Sequence, residues 1–232
     1  MKLEEVSIPG LEALVQTTLS NKRCRHVLNV REMAVKLAKQ YGADVRRCEI
    51  AALLHDITKE MERGKQLQML EASGIMSDMV VLKSPPLYHA YTGAIYAEKA
   101  LGITDETVLN AIRYHTVARA GMSPEEKIVY LADAISKDRS YSGVEEFRKL
   151  AFEDLDGCMK AMLKHTITYL SKTSVCFPIP PFRRTISTAA CNREPGWVFV
   201  AVFKEDHSWV ESRSKRQVLL QRNTGRSLKR SF

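Results

Sequence analysis

The chain has 232 residues, 45% hydrophobic and 27% charged, with a formal net charge of +8. Those are the values of an ordinary globular protein with one sizeable core plus an appendage; no apolar run reaches the length of a membrane span. Residues 183–232 carry eleven Lys or Arg against four Asp or Glu, whereas the first 182 carry 24 against 23. The main body is therefore nearly neutral, and net charge gives nucleic-acid binding there little support.

The opening stretch, MKLEEVSIPGLEALVQ, has no basic region followed by a long apolar core, so no secretory leader is expected. Residues 19–40 place Leu19, Val27, Val30, Ala34, Leu37 and Ala38 at helical spacing, with Gly42 as the stop. Asp44 can cap a second helix with Ile50, Ala51 and Leu54 on its apolar face. A shorter helix is expected over 62–71, and an apolar segment at 78–83 is punctuated by Pro85 and Pro86. A helix over about 87–101 follows, stopped near Gly102. The next carries Val108, Ile112 and His115, with Asp105 and Glu106 in its first turn.

Ser123, Pro124 and Glu126 form a capping box with proline at the first helical position, opening a helix through Asp133. Gly143 breaks the chain, and one or two last helices cover about 145–172. No period-two strand pattern occurs in this stretch, so the main body, 1–175, is expected to be all-α. The sequence CFPIPPF then marks a change of character. WVFVAVF at 197–203 has strand composition but no evident partner, so 176–232 is expected to be a loosely attached or disordered basic extension. Cys24, Cys48, Cys158, Cys176 and Cys191 form no CxxC pair, which points to free thiols in a reducing, cytoplasmic compartment and away from a cysteine zinc site.

Four of the six histidines, His26, His55, His89 and His115, fall at suggestive points. In LLHDITK, His55 and Asp56 end an apolar helical turn. His115 follows Ile112 at i to i+3 spacing, and Asp133 lies within the apolar run IVYLADAI. A buried charge is costly unless it is paired or bound to metal. Alone, each has an ordinary explanation: His26 as a hydrogen-bonded, partly buried histidine, His89 as a stabiliser of a helix start, His115 and Asp133 as a buried polar pair. Five separate segments each offering a ligand type is more than a generic helical domain needs. Together they suit Fe, Mn or a similar divalent ion. Two such ions close together could activate a water and neutralise charge on a phosphoryl group.

The ordered series His26, His55-Asp56, His89, His115, Asp133 resembles the HD phosphohydrolases. The stretches LSNKRCRH, AALLHDITK, YHAYTGAIYA, AIRYHT, GMSPEEKIVYLAD and GVEEFRKLAFEDLDGCMKAMLKHTITYL resemble its symmetrical bis(5′-nucleosyl)-tetraphosphatase (YqeK-type) branch over about residues 10–173. That resemblance implies an HD-domain helical bundle and a dinuclear centre, most often iron. His26, His55, Asp56 and Asp133 would surround one metal, and Asp56 would bridge to a second held also by His89 and His115. It further implies cleavage of diadenosine tetraphosphate at its central bridge into two ADP, and a homodimer.

Around this series Lys59 and Arg23 are candidate phosphate clamps, with Lys59 beside Asp56 as a catalytic candidate. Arg119, Arg139 and His89 are candidates for substrate contact. Each of these cations can equally be a solvated charge, and Tyr88 or Tyr141 could stack on a base or belong to the core. The chain departs from the branch at TVARAGMS, where TTGRPGMS is usual, through Val117, Ala118 and Ala120. It departs again at Ile135-Ser136-Lys137, where the branch has Ile-Glu-Pro, and at Ala190-Cys191-Asn192 in place of Ala-Arg-Asn. These changes spare every proposed ligand and bear on substrate fit and rate. Two other readings stay open: an HD hydrolase of another nucleotide, and a catalytically inactive, metal-stabilised helical binding module.

Overall fold

The computed structural model describes residues 3–74 and 84–172. Among these residues nine α-helices succeed one another: α1 Ile8–Thr18, α2 Asn21–Tyr41, α3 Val45–Leu54, α4 Arg63–Ala72, α5 Tyr88–Lys99, α6 Glu106–Arg113, α7 Pro124–Ile135, α8 Val144–Glu153 and α9 Leu155–Lys172. There is no strand among the described residues, in line with the all-α expectation.

Local chemistry sets most of the boundaries. Ser7, Ser20, Asp44, Asp105 and Ser123 each accept a hydrogen bond from a backbone N–H of the first turn that follows, satisfying one of the donors a helix start leaves open. Glu126 returns the bond to Ser123 and completes the capping box. Gly42 ends α2 at φ 62°, a left-handed conformation that costs glycine little.

Two boundaries differ from the expected ones. The helical spacing over 19–40 is broken at its start: Leu19 is extended, Ser20 caps α2, and a separate helix, α1, precedes it. The helix that was to carry His115 stops at Arg113, with Tyr114 leaving the helical conformation, so His115 stands two residues beyond its end.

Helix α3 lies at the centre, with Ile50 to Leu54 all buried, and it packs against α1, α2, α5, α6 and α7. Two cores flank it. One joins α1, the start of α2, α3, α5 and α6 through Val15, Val27, Ile50, Leu53, Leu54, Val108 and Ile112. The other joins the rest of α2 to α7, α8 and α9 through Val30, Leu37, Ile128, Leu131, Ile135, Cys158 and Met162. Each such buried aliphatic side chain stabilises the fold by about 1.5–3 kcal/mol relative to exposure.

The approach of α5 depends on Gly93. A Cβ there would lie 3.2 Å from Cγ2 of Ile112 and 3.5 Å from the carbonyl oxygens of Leu54 and His55. The missing side chain brings α5 against the ends of α3 and α6, where three of the histidines meet.

Val117 and Ala118, two of the departures noted in the sequence, are buried and apolar, with Ala118 part of the second core. Cys24, Cys48 and Cys158 are buried free thiols. Among the described residues no helix is long and apolar enough to cross a membrane. The apolar segment 78–83, the prolines of CFPIPPF, the run WVFVAVF, Cys176, Cys191 and the whole of 176–232 lie outside the described residues.

Candidate metal centre

Six side chains converge between α2, α3, α5, α6 and α7. His26 belongs to α2, His89 to the first turn of α5, and Asp133 to the last turn of α7. His55 and Asp56 leave the end of α3, and His115 follows α6. All six are buried. Their potential ligand atoms form three overlapping groups: His26, His55 and Asp56; His55, His115 and Asp133; and Asp56, His89 and His115. Within each group these atoms lie within 4.8 Å of one another.

Asp56 is the hub. Its Oδ2 lies 3.5 Å from Nε2 of His55 and 4.0 Å from Nε2 of His26. Its Oδ1 lies 3.3 Å from Nε2 of His89 and 3.7 Å from Nε2 of His115. One oxygen therefore faces one pair of imidazoles and the other faces the second pair. Asp133 approaches His26 at 3.0 Å from the remaining side.

The ring orientations fit metal ligation. The last carbonyls of a helix have no intrahelical partner, and two histidines use them. Nδ1 of His55 donates to the carbonyl oxygen of Ala52 at 2.7 Å, and Nδ1 of His115 to that of Ile112 at 2.6 Å. A neutral imidazole carrying its proton on Nδ1 presents a bare lone pair on Nε2, the usual arrangement for a ligating histidine. Nε2 of His55 is buried without a hydrogen-bond partner, and Nε2 of His26 is buried facing the carboxylate of Asp133. Imidazole and carboxylate donors without thiolates suit iron, manganese or similar divalent ions, so the residues fit the group.

Electrostatics separates the members. Burial pushes the carboxyl of Asp56 up, yet the surrounding imidazoles and Lys59 hold it well below the usual carboxylate range. Burial likewise opposes ionisation of Asp133, and Arg139 together with His26 overrides it. Burial and the neighbouring Lys59 drive His89 well below the usual histidine value, so its ring is neutral. His26 goes the other way: burial lowers it, but Asp133 and Asp138 on its two ring nitrogens raise it to about 9.

The cations anticipated as phosphate clamps divide into two sets. Arg23, in the first turn of α2, reaches Oδ2 of Asp56 at 2.9 Å. Lys59 places Nζ 3.2 and 3.3 Å from the ring nitrogens of His89. Arg139 bonds Asp133 through its carboxylate at 2.5 Å and its carbonyl at 2.9 Å. These three belong to the cluster. Arg119 instead grips Glu126 in the first turn of α7 at 2.5 and 2.8 Å, and lies 5.2 Å from the ring centroid of Tyr114. Tyr88 is fully buried in a small cluster with Leu70 and Ile95. Tyr141 packs against Phe147 and His165 and donates to the carbonyl of Ala134 at 3.1 Å.

Several site residues were not anticipated from the sequence. Asp138 accepts from Nδ1 of His26 at 2.8 Å and from Asn29 at 3.0 Å. Thr58 donates to the carbonyl of His89 at 3.0 Å and bonds Thr92 at 2.8 Å, while Gln66 donates to the carbonyl of Thr58 at 2.7 Å. Thr58 stands inside LLHDITK, and Gln66 lies at eight-residue spacing from it. Asp138 sits between two basic residues and has the look of surface charge.

A model of the HD domain matches residues 23–138, a span that includes all six converging side chains. Fold and cluster together define an HD-domain hydrolase. The symmetrical bis(5′-nucleosyl)-tetraphosphatase of Halalkalibacterium halodurans is 40% identical over 159 residues, covering 68% of this chain and 84% of that protein. The enzyme of the same name from Bacillus subtilis is 38% identical over 69% of this chain and 86% of its own length. A crystal structure from Clostridium acetobutylicum, described as a predicted HD superfamily hydrolase involved in NAD metabolism, matches with a TM-score of 0.69 and 36% identity, over 72% of this chain and 89% of that one. The chain belongs to the symmetrical bis(5′-nucleosyl)-tetraphosphatase family of HD hydrolases.

Proposed function

We propose that the chain hydrolyses diadenosine tetraphosphate symmetrically to two ADP at this centre. The observation that carries the reading is the sharing of Asp56: its two oxygens face two different imidazole pairs. It is supported by the activity for which two relatives are named, each covered over more than four fifths of its length. His26, His55, Asp56 and Asp133 would hold one divalent ion, and Asp56, His89 and His115 a second. Iron or manganese suits these donors. When bound, two such ions would lower the pKa of a water and neutralise charge on the phosphoryl group.

Water adds to a phosphorus of the central bridge, and the bridging oxygen departs with the other half, so each product keeps two phosphates and one water is consumed. The protein's own groups prepare this step. Asp56 stays ionised despite its burial. Lys59 supplies a positive charge beside His89, where it can meet phosphate oxygens and the charge that collects on the departing ADP. Arg23 and Arg139, which hold the carboxylates of Asp56 and Asp133, would add positive charge for a polyphosphate laid over the cluster. Arg119 contacts a nucleotide only by giving up Glu126. The buried thiols suit a reducing, cytoplasmic compartment, and a homodimer is the expected assembly.

The test is product analysis. Full-length protein purified without oxygen and loaded with Fe(II) or Mn(II) is incubated with diadenosine tetraphosphate, with Asp56→Ala as control. The reading requires ADP as the sole nucleotide product of the wild type and little from the variant. ATP plus AMP would retain a metallohydrolase and reject the cleavage position. No turnover by folded, metal-loaded protein would move the assignment to another nucleotide.

A further inference from the structure

The four histidines are not held alike. His55 and His115 stand just past helix ends, where spare carbonyls fix their Nδ1 protons. His26 lies within α2, whose carbonyls at that level are engaged in the helix, so its Nδ1 needs an acceptor from elsewhere. That acceptor is Asp138, from the loop after α7, 112 residues away in sequence and 2.8 Å away in space.

We infer that Asp138 is a positioning residue of the centre: by accepting from Nδ1 of His26 it fixes the ring orientation and tautomer that turn Nε2 toward Asp56 and Asp133. The inference rests on the metal-centre reading above and assigns no contact between Asp138 and substrate.

Three features separate this role from an incidental surface ion pair. First, the carboxylate is aimed from both sides. Oδ2 takes the His26 proton while Oδ1 takes an Asn29 amide proton at 3.0 Å, and Asn29 follows His26 by one turn of α2. Second, the loop that carries it is pinned. Arg148 of α8 donates to the carbonyls of Ile135, Ser136 and Arg139 at 2.9, 2.7 and 2.8 Å. Third, the same loop delivers Arg139 to Asp133, the carboxylate on the opposite ring nitrogen of His26. One short loop thus sets both partners of one histidine. A carboxylate on the far nitrogen of a ligating imidazole also raises its basicity, and loss of such a partner weakens metal binding by about 10–100-fold.

The experiment is a Mn(II) titration of the full-length chain followed by electron paramagnetic resonance, comparing wild type with Asp138→Ala and the isosteric Asp138→Asn. No nucleotide is present, so an error in the assigned substrate leaves the result untouched. The expected result is two ions in the wild type and a fall of about tenfold or more in affinity for one of them in each variant. The second ion should be unaffected, and excess Mn(II) should restore full occupancy of the weakened site. Wild-type affinity for both ions in a folded variant, judged by circular dichroism, overturns the role. If Asp138→Ala fails to fold, Asp138→Asn decides. A wild-type chain that binds no Mn(II) removes the centre and this inference together.

Discussion

The two sides of the centre are built on different principles. Around His89 and His115 the supports are internal: a helix-end carbonyl, the buried hydroxyls of Thr58 and Thr92, and the amide of Gln66. Around His26 and Asp133 the supports are charged and come from a half-exposed loop, through Asp138 and Arg139. The first side is held by backbone geometry that few substitutions can alter without disturbing the core. The second is held by side chains that can be changed singly, so ligand orientation there should be adjustable at little cost to the fold.

The largest effect should fall where the two sides join. Asp56→Ala removes the shared carboxylate and should lower turnover of diadenosine tetraphosphate on the order of a thousandfold; near wild-type turnover would break the comparison at its hinge. Next, His26→Ala and His115→Ala should each lower turnover by about a hundredfold while each retaining one of two ions, by metal analysis. Loss of both ions from either variant would mean that the sides are not separate.

On the internal side, Gln66→Ala leaves the carbonyl of Thr58 with the Met61 N–H as its remaining donor. It should cost about 0.5–1.5 kcal/mol of stability in urea unfolding, with metal stoichiometry unchanged. On the charged side, the metal-free protein should show a pH signature. His26 titrates at about 9 in the folded chain against an ordinary 6.5. A raised folded value means the stabilisation is fully present below pH about 6.5 and is lost as pH rises through about 9. Urea midpoints measured in chelator should decline across that window, and His26→Gln should abolish this part of the slope. The smallest effect is expected from ending the chain after Thr173. The nearly neutral body contains all six groups, so turnover should be unchanged; a folded truncation without activity would make the basic segment part of the machinery.

The six converging residues were legible in the sequence because polar residues interrupted apolar periodicity, and an inward-facing His or Asp needs a partner. The capping box at Ser123 and the cap at Asp44 were legible because their signals are local. What escaped has a common cause. The pairing of Asp138 with His26 depends on a loop folding back across the second core, which no spacing encodes, and its basic neighbours disguise it. The link from Gln66 to Thr58 depends on where α4 lands after the turn that follows α3. Helix α1 carried no expectation from the sequence, although proline suits a first helical turn and Ser7 supplies the cap. His115 was placed on a helix that ends before it, and that early ending is what frees the Ile112 carbonyl to orient its ring.

The most direct test of the shared carboxylate is the number of ions bound per chain. Metal analysis of protein saturated with Mn(II) should give two in the wild type and none tightly held in Asp56→Ala. Two ions retained in the folded variant would contradict a centre built around Asp56.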